Sequence, residues 1–111
     1  MSADWMPGTM EGMAFAIVYS PEAVDHLELL PKSSQVLVVD QVEEQLAHEP
    51  TLPTRKRKVL RPNPIAPWEL RLGEIRVFYE VREEPEPEVI VKAIAVKRHN
   101  ELWIGGEKIT L

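Results

Sequence analysis

The chain has 111 residues, no cysteine and a formal net charge of -5; that length closes one modest core, and the missing thiols exclude disulfides, thiolate metal sites and cysteine nucleophiles. No apolar run approaches the roughly 18 residues of a membrane span, and the start lacks the basic and apolar blocks of a signal peptide, so a cytoplasmic protein with no membrane partner is expected. The acidic balance opposes broad, nonspecific attraction to nucleic acid.

Residues 1–12 (MSADWMPGTMEG) are small, Gly and Pro residues without periodicity and read as a flexible leader, leaving 13–111 as a single domain. Ala14 to Tyr19 is a short apolar run of strand length. Ser20 and Pro21 then make a helix start, because the serine hydroxyl can accept from an orphan amide and proline at the first helical position has no amide to leave unpaired. Ala23, Leu27 and Leu30 share one stripe of that helix, and Pro31 ends it. A second helix is expected from Ser33 or Ser34 to His48, with Val39, Val42 and Leu46 as its apolar stripe. The β-branched run from Val36 to Val39 leaves a strand open there. His26 and His48 lie among carboxylates with no second ligand at metal spacing and are expected at the surface.

Prolines at 50, 53, 62, 64 and 67 confine a short strand, Lys56 to Leu60, to a sheet edge or a position beside a loop. Arg55, Lys56, Arg57, Lys58 and Arg61 concentrate there as a basic ridge on an acidic body, suited to local steering or an acidic partner.

In WELRLGEIRVFYEV, alternation places Trp68, Leu70, Leu72, Ile75, Val77, Tyr79 and Val81 on one face and Glu69, Arg71, Arg76, Phe78 and Glu80 on the other. Gly73-Glu74 fits a two-residue II′ or I′ turn. The register then sets Leu72 across from Ile75, Trp68 across from Tyr79 and Arg71 across from Arg76. Like charges so opposed destabilise a ladder. Either Glu69 and Glu80 neutralise them in a solvated patch, or phosphate oxygens are their partners, for which planar bidentate guanidiniums are suited. Arg82 to Glu88 reads as a solvated hairpin loop without chemistry. Val89 to Val96 is a nearly continuous apolar run, a central strand covered on both faces, and it ends in Lys97, Arg98 and His99. The expected class is α+β: an N-terminal strand, a helical hairpin, then antiparallel strands in a small sheet with the helices on one face.

Two stretches carry a resemblance that covers Phe15 to Ile109. WELRLGEIRVFYEV resembles the aromatic-x-(Leu/Ile)-(Arg/Lys)-Leu-turn-x-Arg-Val-x-Tyr hairpin of the RelE/ParE-like toxins of bacterial type II toxin-antitoxin modules. AIAVKRHNELWIGG is similar to the closing strand and tail of many members. The resemblance implies a small toxin neutralised by a cognate antitoxin that wraps its surface. In ribosome-dependent members, the toxin is an endoribonuclease that cleaves mRNA at the decoding site, and no cofactor is called for. By position, Arg71, Arg76 and Arg98 match basic residues that nuclease members use around the scissile phosphate. Attack of a ribose 2′-hydroxyl there builds charge on phosphate oxygens, which guanidiniums stabilise.

Imidazole titrates intrinsically near neutrality, which makes His99 the candidate for proton transfer; a lysine such as Lys97 serves only where its surroundings lower its basicity. Lys56, Arg57, Lys58, Arg61, Lys97 and Trp103 are the candidate RNA contacts, Trp103 by stacking on a base. Two departures stand beside the match. Glu69 occupies a position where nuclease members often carry lysine, and Trp103 and Ile104 fill the region of a late tyrosine. They keep two other readings open: a non-enzymatic toxin that binds and inhibits DNA gyrase, and a catalytically degenerate relative that only binds its antitoxin. The opposed arginines and His99 put the ribonuclease first.

Overall fold

A computed structural model describes residues 14–110. The leader expected over residues 1–12 lies outside the described residues. In chain order the elements are β1 (Ala16–Tyr19), α1 (Pro21–Glu28), α2 (Lys32–Leu46), β2 (Arg57–Val59), β3 (Trp68–Leu72), β4 (Ile75–Arg82), β5 (Glu88–Arg98), β6 (Glu101–Ile104) and β7 (Glu107–Ile109). The strands form one seven-stranded sheet in the order β2-β3-β4-β5-β6-β7, with β1 on β5. Among the described residues every pairing is antiparallel except β1 with β5, which the chain reaches after both helices and strands β2 to β4. Among the described residues no helix is long and apolar enough to cross a membrane.

Local chemistry explains most of these boundaries. Ser20 Oγ accepts from Ala23 N at 3.0 Å, so the serine caps α1 as its position before Pro21 predicts. The β3–β4 hairpin has the expected register, Leu72 to Ile75, Arg71 to Arg76 and Trp68 to Tyr79. Of its two turn residues only Gly73 takes a positive φ, 63°, the II′ pattern that glycine permits. The helical reading of Val36 to Val39 holds, but the buried stripe of α2 is Val38, Val42 and Leu46, at steps of four, and Val39 is 44% exposed. That stripe and Ala23 of α1 cover Leu70, Val77, Tyr79 and Val91 on one face of the sheet. Each such large aliphatic side chain contributes about 1.5–3 kcal/mol by leaving water.

Two features go beyond the sequence expectation. The chain after β5 is a pair of hairpins rather than a simple tail, turning at His99-Asn100 (φ 51° and 67°) and at Gly105-Gly106 (61° and 85°). Left-handed conformation at both central residues marks the I′ turn that matches strand twist. The opposite face of the sheet is also half apolar. Phe78, Ala93 and Ala95 are buried there with Ala66, and Leu60 and Ile65 from the connection between β2 and β3 pack against them. Asn63 rigidifies that connection: its Oδ1 accepts from Ile65 N and Ala66 N, at 2.8 and 3.1 Å. The connection covers the Phe78 end of this face, and the Arg71–Arg76 end remains open.

Strand β5 pairs through its first half with β1 and through its second half with β6, both on one edge. Helix α1 bridges the gap between those two partners. Ser20 Oγ donates to Lys92 O at 3.2 Å, and His26 Nδ1 accepts from Ile94 N at 3.3 Å. His26 is therefore a half-buried structural residue and not the surface histidine expected from its helix.

Candidate functional site

The β2–β5 register gathers cations on the sheet face away from the helices. Lys58 lies across from Glu69, and Arg71 across from Arg76. Arg71 N donates to Lys56 O at 2.8 Å, so Lys56 extends the same row beyond β2. Strand alternation puts Lys56, Lys58, Arg71, Arg76 and Lys97 on this one side. At its open end Arg76, Lys97 and His99 line a shallow depression of about 290 Å³ with Gly73, Glu74 and Asn100. His99 owes its place there to the I′ turn, which presents its ring at the rim. Glu74 is the carboxylate that sequence reasoning treated only as a turn residue, although its place beside Gly73 ties it to the same end of the sheet.

The electrostatic tension of two opposed arginines is relieved from within. Glu69 Oε2 lies 2.6 Å from Arg71 Nε and 3.8 Å from Arg76 Nε. Glu80, the other expected neutraliser, instead meets Arg82 at 3.4 Å. Glu69 is only 5% exposed, so the neutralising group is a buried carboxylate rather than part of a solvated patch. Burial of a carboxylate is tolerated because both neighbours are permanently charged donors. The two arginines differ in availability. The Arg71 side chain is 49% exposed, whereas that of Arg76 is 12% exposed. Arg76 Nη1 donates to Gly73 O at 2.5 Å and to Ile75 O at 3.1 Å, fastening the hairpin turn.

Other candidates fall elsewhere. Arg57 belongs to β2 but faces the opposite way from Lys56 and Lys58, and it is buried. Its Nη1 donates to Gln45 O at 2.6 Å and its Nε to Leu52 O at 2.9 Å, tying the end of α2 to the following loop. The basic ridge therefore loses Arg57, because odd and even positions of a strand cannot share a face. Arg61 is exposed on the connection beside Pro62 and Asn63, away from the row. Arg98 follows Lys97 and so points to the helix side. There it lines a groove of about 430 Å³ with Trp103, His26, Leu29, Ile94 and Gly105. The four residues expected to act together thus divide, with Arg71, Arg76 and His99 on one side and Arg98 on the other. Tyr79 is core: it stacks on Trp68 with ring centroids 6.1 Å apart and donates its hydroxyl to Pro50 O at 2.7 Å. Burial raises its pKa against the opposing charge of Arg57.

His26 closes the groove and carries a pH signature. Burial lowers its pKa below the ordinary 6.5, outweighing the opposite pull of Asp25 and Glu22. Its bond from Ile94 N requires an unprotonated Nδ1, which agrees in direction. The unfolded chain therefore takes up this proton at a higher pH than the folded chain. The His26 contribution is complete above pH 6.5 and is lost as pH falls below it. Melting curves between pH 7.5 and 5 (about the span in which histidine titrates) should show a decline that His26→Gln flattens. An equal decline in the variant would remove His26 as its source.

With this geometry in hand, comparison with solved structures is informative. The chain is similar to the toxin-antitoxin complex RelBE2 from Mycobacterium tuberculosis, with a TM-score of 0.67 and 22% identity, over 78% of this chain and 94% of that one. The fold is RelE-like. No protein-family model matches the chain, and no curated protein does. Within the RelE-like fold, the row from Lys56 to Lys97 occupies the sheet face that the two helices leave uncovered.

Proposed function

We propose that this chain is the toxin of a type II toxin-antitoxin module and acts as a ribosome-dependent endoribonuclease on mRNA. The observation that carries the reading is the gathering of Lys56, Lys58, Arg71, Arg76, Lys97 and His99 on one open face of a chain whose net charge is -5. A protein of that overall sign concentrates cations on one uncovered surface when the partner there is anionic. In the reaction, the 2′-oxygen of one nucleotide attacks the adjacent phosphorus and the bond to the next 5′-oxygen breaks. The products are a 2′,3′-cyclic phosphate and a 5′-hydroxyl. One proton leaves the 2′-hydroxyl and one reaches the departing oxygen. Arg71, aided by Arg76 and Lys97, stabilises the charge that grows on the phosphate oxygens. His99 and Glu74, which line the depression with Arg76 and Lys97, are the groups that exchange protons.

The cognate antitoxin is the expected protein partner. The RelBE2 match is itself a toxin-antitoxin complex, and the groove beside α1 offers apolar walls with Arg98 and Trp103 at its edge. Trp103, 36% exposed, lines that groove on the helix side, across the sheet from the cationic face, and serves the antitoxin contact rather than stacking on a base.

Pulse-labelling of protein and DNA synthesis after brief induction of the chain without antitoxin tests the reading. An early stop in protein synthesis is expected. An early stop in DNA synthesis instead would favour a gyrase-binding toxin, and no effect on either would mark a binding-only relative.

A further inference from the structure

We infer that Glu69 is a positioning residue that aims the Arg71 guanidinium at the bound phosphate, an inference that deepens the ribonuclease reading and rests on its phosphate site. Glu69 and Arg71 are two residues apart on β3, so their side chains rise from the same face. Glu69 is flanked across the ladder by Lys58 on one side and by the fully buried Phe78 on the other. Its side chain is 7% exposed, and its Oε2 takes a 2.6 Å bond from Arg71 Nε. Nε lies on the inner edge of a guanidinium. Among the described residues this is the one hydrogen bond that Arg71's side chain makes, which leaves the terminal Nη1–Nη2 edge of a half-exposed fork without a hydrogen bond. Oε2 also lies 3.8 Å from Arg76 Nε, so the oxygen that bonds Arg71 is within ion-pair reach of Arg76 as well. A planar donor fixed at its inner edge presents its outer edge with little rotamer freedom left to lose when a phosphate arrives.

Simple electrostatics and positioning predict opposite signs for removal of this carboxylate. By Coulomb attraction alone, taking a negative charge out of a cationic face strengthens anion binding. If Glu69 aims Arg71, the same change frees the guanidinium and weakens binding.

The experiment measures the Kd of a 2′-deoxy-substituted RNA trinucleotide, which lacks the attacking hydroxyl, for the wild-type chain, Glu69→Gln, Arg71→Ala and the double variant. Glu69→Gln is expected to bind at least about tenfold more weakly, the factor of one charge-assisted hydrogen bond. In the Arg71→Ala background the same substitution should cause no further loss. Unchanged or tighter binding by Glu69→Gln overturns the inference. The Arg71 Nε–Hε signal in ¹⁵N NMR separates this inference from the reading beneath it. If the wild type binds no trinucleotide, the phosphate site fails, while a shift of that signal to the free-arginine position in Glu69→Gln still supports the clasp and an unmoved signal overturns it. Should Glu69→Gln not fold, slow solvent exchange of the same proton in the wild type supports the clasp, and fast exchange overturns it.

Discussion

Replacing Arg71 with alanine is expected to abolish growth arrest and to lower mRNA cleavage on the order of 10²- to 10³-fold, the loss seen when one donor to a developing oxyanion is removed. The fold should survive, because the Arg71 side chain is half exposed and, among the described residues, its bond to Glu69 is its one side-chain hydrogen bond. Glu69 keeps a second cation at 3.8 Å. The loss of pairing then costs about 1–2 kcal/mol. Arg76→Ala is a poorer probe. That side chain is 12% exposed and fastens the Gly73-Glu74 turn, so its removal combines a chemical loss with a structural one. Growth curves after induction, read beside a melting curve for each purified variant, check the distinction. Full toxicity from a folded Arg71→Ala chain would remove the phosphate site.

Arg57→Ala is expected to have the largest effect on stability of any single change to a cation. Arg57 is 9% exposed and holds Gln45 O and Leu52 O, a joint between the end of α2 and the loop leading to β2. Truncation removes both part-buried, charge-assisted bonds of this joint and empties the space of a long side chain. A loss of roughly 2–4 kcal/mol follows, a fall in Tm on the order of 10–20 °C for a domain of this size. Arg61→Ala, on the exposed connection, should leave Tm nearly unchanged and serves as the control. Equal melting temperatures for the two variants would contradict the structural role of Arg57.

The division between Arg57 and its neighbours shows how much of the molecule was legible in the sequence. Period-two alternation and the Gly73-Glu74 turn specified the β3–β4 register residue by residue, because a slip of one position would exchange the apolar and charged faces. The same alternation, applied to Arg55-Lys56-Arg57-Lys58, would have turned Arg57 inward, but a basic run hides its own parity when no apolar residue marks the buried side. Lys97 and Arg98 separate for the same reason. The second pair of turns was signalled by His-Asn and Gly-Gly between apolar runs, a hairpin pattern that reading the segment as a tail passed over. The parallel pairing of β1 with β5 was not legible, since no local signal joins strands about seventy residues apart. The bond from Ile94 N to His26 depends on that long-range arrangement too, so the residue looked like an ordinary surface histidine. Glu69 was visible as a charge out of place. Its burial came from the Phe78 side of the face, where the connection between β2 and β3 folds over the sheet.

The central claim is that the open cationic face cleaves RNA on the ribosome. The most direct test incubates the purified chain with a reconstituted translation reaction and maps the ends of the message, with Arg71→Ala run in parallel. The account predicts cuts by the wild-type chain at the decoding site that leave 2′,3′-cyclic phosphate ends, and an intact message with Arg71→Ala. A message left intact by the folded wild-type chain, or cut equally well by both proteins, would contradict it.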